Sequence, residues 1–430
     1  MPEGSPAARG TTPVPSIQRC LRCGHTLPEL DARSVCPQCG GLLELVHSPP
    51  ELRGAALAES FRRSTSPSGV WRFGALVLPG SERDRVSFPE GNTPALESDR
   101  VRRWTGATWL RLKHEGLNPT GSFKDRGMAV GVTQALRIGA RGVVCASTGN
   151  TGASLASYAA RAGLPALVLV PAGRIAVGKL TQTMAYGARI LAVRGDFDDC
   201  LRLVREASDE LGLYLLNSVN PFRIEGQKTI VLELLEQLGW DPPDWLALPA
   251  GNLGNTAAFG AALREALAFG LIPRAPRLLA VQSSGAAPFA ASFDDDFRTL
   301  KPVKACTIAT AINIGNPASF ERAVPAIRET RGIVRAVSDE EILDAKGEVD
   351  AAGIGCEPAS AASVAGVRRL VHEGFISPGE RVVAVLTGHV LKDPDIILSE
   401  AESRRGASRP SRPAEVEPTI AAVAAAARLS

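Results

Sequence analysis

The sequence predicts an α/β protein with two open, twisted-sheet lobes around a cleft and a small metal-ribbon segment ahead of them. Two alternating series of strands and helices predict the lobes, and a quartet of cysteines predicts the ribbon. The first series runs through Gly142–Ala146, a helix over Ala153–Ala162, Ala166–Val170, a helix over Gly178–Tyr186, Arg189–Val193 and a helix over Phe197–Leu211. Short apolar runs separated by helix-length segments imply parallel strands joined by crossovers. The second series holds Trp245–Leu248, a Gly-Asn loop, a helix over Asn255–Phe269, then Arg277–Gln282 and Val382–Leu386. Open sheets of this kind place ligands at the carboxyl ends of their strands.

A chain of 430 residues is long enough for about two to three domains. The expected organisation is a disordered tail over 1–15, a ribbon over 16–48 and part of a large lobe over 49–126. A small lobe over 127–215, the rest of the large lobe over 216–402 and a tail over 403–430 follow. The tails are rich in Pro, Gly, Ser and Arg and lack the apolar period needed to pack, except that Thr419–Leu429 is Ala-rich enough for a short helix. Apolar residues at 45% and charged residues at 22% match ordinary soluble usage, and a net charge of +3 offers no broad basic field for nucleic acid. No run of about 18 apolar residues predicts a membrane span, and the N-terminus lacks an apolar signal core. The expectation is a cytoplasmic enzyme acting on a small molecule.

Cys20-x2-Cys23 is separated by twelve residues from Cys36-x2-Cys39, and glycines Gly24 and Gly40 follow the two pairs. Four thiolates at this spacing can close a tetrahedron around zinc. With four protein ligands no position stays open for substrate, so the predicted zinc is structural. Cys145, Cys200, Cys306 and Cys356 are scattered and are expected to be reduced thiols.

In Asn118-Pro119-Thr120-Gly121-Ser122-Phe123-Lys124-Asp125-Arg126, turn formers precede a lysine, and a helix is expected over Met128–Ile138. A helix N-terminus disfavours the charged amine. After the first strand, Ser147-Thr148-Gly149-Asn150-Thr151-Gly152 offers hydroxyls and amides to an anion, and Pro249-Ala250-Gly251-Asn252-Leu253-Gly254-Asn255 offers backbone amides to a phosphate. These segments, in this order, resemble fold-type II pyridoxal-phosphate enzymes over about Phe88 to Pro394, and the threonine synthase family in particular. The resemblance implies that Lys124 carries pyridoxal 5'-phosphate, with Phe123 beside it. It implies that Asn150 meets the phenolic oxygen, that Gly251, Asn252, Leu253, Gly254 and Asn255 hold the cofactor phosphate, and that Thr387 faces the pyridine nitrogen. Ser147, Thr148, Asn150 and Thr151 would hold the substrate carboxylate and neighbouring groups. His389 is expected to be structural.

Asn217-Ser218-Val219-Asn220-Pro221-Phe222-Arg223 offers an amide, a hydroxyl and a guanidinium, a suitable set for a phosphate dianion. The resemblance assigns Thr151, Asn217, Ser218 and Arg223 to the phosphate of O-phospho-L-homoserine. It implies a homodimer that makes L-threonine and phosphate by γ-elimination and β-addition of water, with Lys124 moving the protons. Segments 309–319 and 355–363 also resemble threonine synthase signatures, while Val390 stands where the family often has glycine. Fold-type II enzymes include threonine and serine dehydratases and cysteate synthase, which remain alternatives, as does an inert sensor of the cofactor or of a phospho-amino acid.

Overall fold

The computed structural model describes residues 16–173, 177–403, 413 and 415–427. The disorder expected for residues 1–15 and 404–412 falls outside them, and the Ala-rich segment forms a helix at Ile420–Ala427.

Among the described residues the strands form three sheets. β1 (Ser16–Cys20), β2 (Thr26–Pro28) and β3 (Leu43–His47) make an antiparallel ribbon in the order β2-β1-β3. β4 (Ala95–Leu96), β5 (Trp109–His114), β6 (Gly142–Ala146), β7 (Ala166–Pro171), β8 (Arg189–Val193) and β9 (Leu213–Leu215) follow. Next come β10 (Trp245–Pro249), β11 (Arg277–Ser283), β12 (Ile333–Val337) and β13 (Arg381–Leu386). The smaller open sheet, β8-β7-β6-β9, is parallel throughout. The larger is β12-β11-β10-β13-β5-β4, with only β4 antiparallel. β6 and β10 are buried along their whole length because helices cover both faces, which is why they read as unbroken apolar runs. Edge strand β8 leaves Leu191 exposed.

Several boundaries differ from expectation. The helix after the lysine spans Lys124–Arg137, so it begins at the lysine itself rather than at Met128. Asp125 and Arg126 on its first turn are fully buried against polar partners, and a pattern sought in apolar residues misses that turn. The next helix likewise starts at Asn150, three residues ahead of Ala153. The boundary at 126/127 falls inside the lysine helix, which packs against both Asn150–Ala162 and Pro221–Gln237.

The lysine helix and Pro221–Gln237 cross at glycines. A methyl group added at Gly226 would lie 2.0 Å from the Arg126 carbonyl oxygen, and one at Gly131 would lie 2.7 Å from Leu216. Only hydrogen fits there, and the close approach sets Arg223 beside the start of the lysine helix.

The ribbon is tied to the same helices. His47 Nε2 meets Glu225 Oε2 at 2.9 Å, Gln134 Nε2 donates to the Glu29 carbonyl at 2.8 Å, and Arg137 pairs with Glu29. Buried Arg322 donates to the carbonyls of Leu43 and Val219, joining β3 to the segment that precedes Arg223.

Candidate active site

Lys124 is pinned to the carboxyl end of β13. Phe123 N donates to the Thr387 carbonyl at 3.0 Å, His389 N to Gly121 O at 2.9 Å, and Ser122 bridges Gly388. Asp125 closes the turn by accepting from Thr120 N and Oγ1, each at 2.7 Å, and from Ser154 Oγ at 2.6 Å. One carboxylate therefore binds the lysine turn to the helix that begins at Asn150.

The Lys124 amine lies 4.1 Å from the centre of the Phe123 ring. Burial, aided by Arg223 and opposed by Glu357, lowers its pKa to about 7. The N-terminal position expected from sequence is present, and desolvation adds to it.

Arg223 is 1% exposed. Asn220 caps the helix by accepting from Arg223 N at 3.2 Å, and Pro221 occupies its first turn, so the guanidinium starts from a fixed point. Its Nη1 donates to the Leu216 carbonyl at 3.0 Å, while Nε and Nη2 have no hydrogen-bond partner among the described residues. Burial lowers its pKa to about 10, still a cation at neutral pH. A buried guanidinium with two unmatched donors calls for an anion.

Asn217 is used differently from expectation. Its Oδ1 accepts from Ala146 N and its Nδ2 donates to Ala146 O, both at 3.0 Å, so both ends of the amide brace the exit of β6. Ser147 Oγ accepts from the amides of Gly149 and Gly152, each at 3.2 Å, and shapes the loop. Thr148, Thr151 and Ser218 are half-buried beside these segments.

Residues 251–255 form a tight turn into the helix Gly254–Ala268. Leu253 holds a left-handed backbone at φ 65° while its side chain is buried, a cost the local packing must offset. A methyl at Gly251 would lie 3.0 Å from Ile312 Cα, so glycine lets the two segments touch. The first amides of the helix lack intrahelical acceptors. Asn255 Oδ1, Thr256 Oγ1, Gln227 Oε1 and Ser122 Oγ are buried polar atoms without partners among the described residues. Asn252 instead supports its neighbours, its Oδ1 accepting from Ala318 N at 3.3 Å and its carbonyl from Ser319 N at 3.1 Å.

Thr387 Oγ1 lies 2.9 Å from Ser360 Oγ. Asn150 Nδ2 donates to Glu357 Oε2 at 2.9 Å. Glu357 lies in a segment noted from sequence, but no local signal marks it as a site residue, because its partners come from residues 124, 150 and 387. His389 Nδ1 accepts from Leu391 N at 3.2 Å, a turn-forming role, and Val390 packs against Gly355.

In the ribbon, Cys20, Cys23, Cys36 and Cys39 bring their Sγ atoms within 4.8 Å of one another. Separations of 3.5 Å for Cys20 to Cys39, 3.6 Å for Cys23 to Cys36 and 3.4 Å for Cys39 to Cys23 are near the ~3.8 Å edge of a tetrahedron with zinc–sulfur bonds of about 2.3 Å.

Known proteins resemble this chain over most of its length. The family described as pyridoxal-phosphate dependent enzyme matches residues 86–388. Threonine synthase of Methanocaldococcus jannaschii is 44% identical over 388 residues, covering 90% of this chain and 95% of that protein. Threonine synthase of Mycobacterium leprae is 49% identical over 327 residues, covering 75% and 88%. The solved structure of threonine synthase from Escherichia coli is 21% identical, covers 89% of this chain and 90% of that one, and shares the fold with a TM-score of 0.71.

Proposed function

Because this chain belongs to the family of pyridoxal-phosphate dependent enzymes, we propose that it acts as a threonine synthase with the cofactor carried on Lys124. The reaction converts O-phospho-L-homoserine and water to L-threonine and phosphate. The observation that carries the substrate assignment is Arg223, buried next to Lys124 with two unmatched donors.

The residues present fit the cofactor. The amides at the start of Gly254–Ala268, with Asn255 and Thr256, suit its phosphate. Asn150 and Thr387 suit its phenolic oxygen and ring nitrogen. Bound there, pyridoxal phosphate supplies an electron sink for charge developing at the substrate Cα.

The chain's own groups then bind, orient and move protons. Lys124, with a pKa lowered to about 7, can take a proton from Cα or Cβ and return one later. Arg223, Ser218 and Thr151 hold the substrate phosphate, and Asn217 fixes the loop that presents Ser218. Ser147, Thr148 and the amides at the start of Asn150–Ala162 receive the substrate carboxylate. A phosphate kept by Arg223 after departure stays close to the carbon that water attacks.

The four ribbon cysteines hold a structural zinc in this reading, which also extends to a cytoplasmic homodimer. Among the described residues no helix is long and apolar enough to cross a membrane.

The test incubates the purified protein with O-phospho-L-homoserine and, separately, with L-threonine or L-serine. Equal amounts of phosphate and threonine from the first substrate are expected. Formation of 2-oxo acid from the others, without phosphate release, would replace this reading with a dehydratase.

A further inference from the structure

One carboxyl group inside the cleft has no part in the scheme above. Glu357 is 4% exposed and stands at the N-cap position of the helix Pro358–His372, with its side chain turned to other partners. Its Oε2 accepts from Asn150 Nδ2 at 2.9 Å, and its Oε1 accepts from Thr387 Oγ1 at 3.3 Å. These donors come from different sheets, since Asn150 follows β6 and Thr387 follows β13. Glu357 therefore joins the two side chains assigned to the cofactor ring.

The approach is built into the backbone. A methyl at Gly388 would lie 2.4 Å from Glu357 Cδ, so glycine leaves the space that the carboxyl fills. Glu357 N also donates to Gly388 O at 3.1 Å. The Thr387 hydroxyl has a second neighbour in Ser360 Oγ, which accepts from Gly388 N at 2.9 Å. A hydroxyl owns one proton, so Thr387 donates to Glu357, to Ser360 or to a ligand, one at a time.

We propose that Glu357 is a positioning residue for this reaction, orienting the Asn150 amide and the Thr387 hydroxyl and so fixing the contacts that the cofactor ring meets. The inference rests on the reading that pyridoxal phosphate occupies the cleft. The cations facing Glu357 are Lys124 from the lysine helix and Lys392 from the turn Val390–Lys392, and Cys356 precedes it in the chain. Burial raises the pKa of Glu357, against the hydrogen bonds from Asn150 and Thr387 and the charges of Lys392 and Lys124. When ionised it accepts from both donors. When protonated it carries a donor of its own, and the Thr387 hydroxyl is free to turn.

The test compares the wild type with Glu357→Gln and Glu357→Asp. Gln keeps the size and one acceptor but never ionises, whereas Asp keeps the charge and withdraws it by one methylene. Each apoprotein is titrated with pyridoxal phosphate by visible absorbance, the absorption band is followed against pH, and the melting temperature is recorded. The Gln variant is expected to melt close to the wild type yet bind the cofactor about tenfold more weakly, as loss of one charged hydrogen bond allows. Its band should titrate at lower pH, because a negative charge beside Lys124 is gone, and Asp should restore part of both effects. Wild-type affinity and pH profile in both variants would overturn the inference while leaving Lys124 as the cofactor residue. A wild-type protein that forms no visible band with pyridoxal phosphate would overturn the reading and the inference together.

Discussion

Lys124 lies among groups that each change how readily it holds a proton, and the balance leaves it half-neutral near pH 7. Apoprotein should therefore take up pyridoxal phosphate at a rate that rises with pH and levels off above about 7, well below the usual lysine range, in stopped-flow absorbance. Lys124→Ala should abolish turnover while the protein still melts cooperatively by calorimetry. Behind the lysine, Arg126 pairs with Glu115 at 2.7 Å and Glu233 at 2.8 Å, and Lys113 meets Glu233 at 2.6 Å, all fully buried. Arg126→Ala would leave Glu115 without its ion pair and Glu233 with Lys113 as its remaining buried partner, a loss of about 3–5 kcal/mol in denaturant unfolding. Burial alone would raise the pKa of Glu233, but Arg126 and Lys113 hold it below the ordinary value. Its stabilising contribution is complete above the unfolded-chain value of about 4.3 and is lost as pH falls through the depressed folded value. Acid unfolding monitored by circular dichroism should thus begin below about pH 4.3, and earlier in Arg126→Ala. At this scale the sequence pointed to Lys124 and Arg223 as candidates through their motifs. Glu357 and the Arg126 cluster stayed hidden because a buried charge looks the same in sequence as an exposed one until its partners are known.

Among the elements, the crossing of the lysine helix and Pro221–Gln237 carries the most consequence. Gly226→Ala should destabilise the fold by about 1–3 kcal/mol through overpacking, and it should lower kcat as well, since it pushes Arg223 away from Lys124. Paired unfolding and kinetic measurements would check both. The ribbon grips these helices through His47 and Glu29, and Arg322 ties β3 to Val219 just ahead of the second of them. Stripping metal with a chelator, or Cys36→Ser, is therefore expected to lower the melting temperature of the whole protein in scanning calorimetry rather than to release a separate early transition. Elements buried on two faces were legible as apolar runs, as Gly142–Ala146 and Trp245–Pro249 illustrate. Pro221–Gln237 was not, because buried Glu225, Lys228 and Glu233 interrupt its pattern. In β5, Leu110 and Leu112 alternate with Arg111 and Lys113, a strand signal the sequence reading passed over.

Across the whole molecule, two largely parallel sheets and a lysine at the cleft between them could be anticipated from alternating elements and ordered motifs. The order of strands within the larger sheet could not, since nothing local in Arg381–Leu386 says that it lies between β10 and β5. That placement has a consequence for how the protein is made. β5 leaves the ribosome more than 260 residues before β13, the strand it pairs with from Trp109↔Arg381 to His114↔Leu386. Until β13 arrives, β5 and β10 are open edges of unfinished sheet, exposed to mispairing with other chains. The Phe123 bond to Thr387 is equally late. Nascent chains stopped before residue 381 should fail to take up pyridoxal phosphate and should recruit chaperones, whereas chains released after residue 403 should acquire the cofactor in one late step.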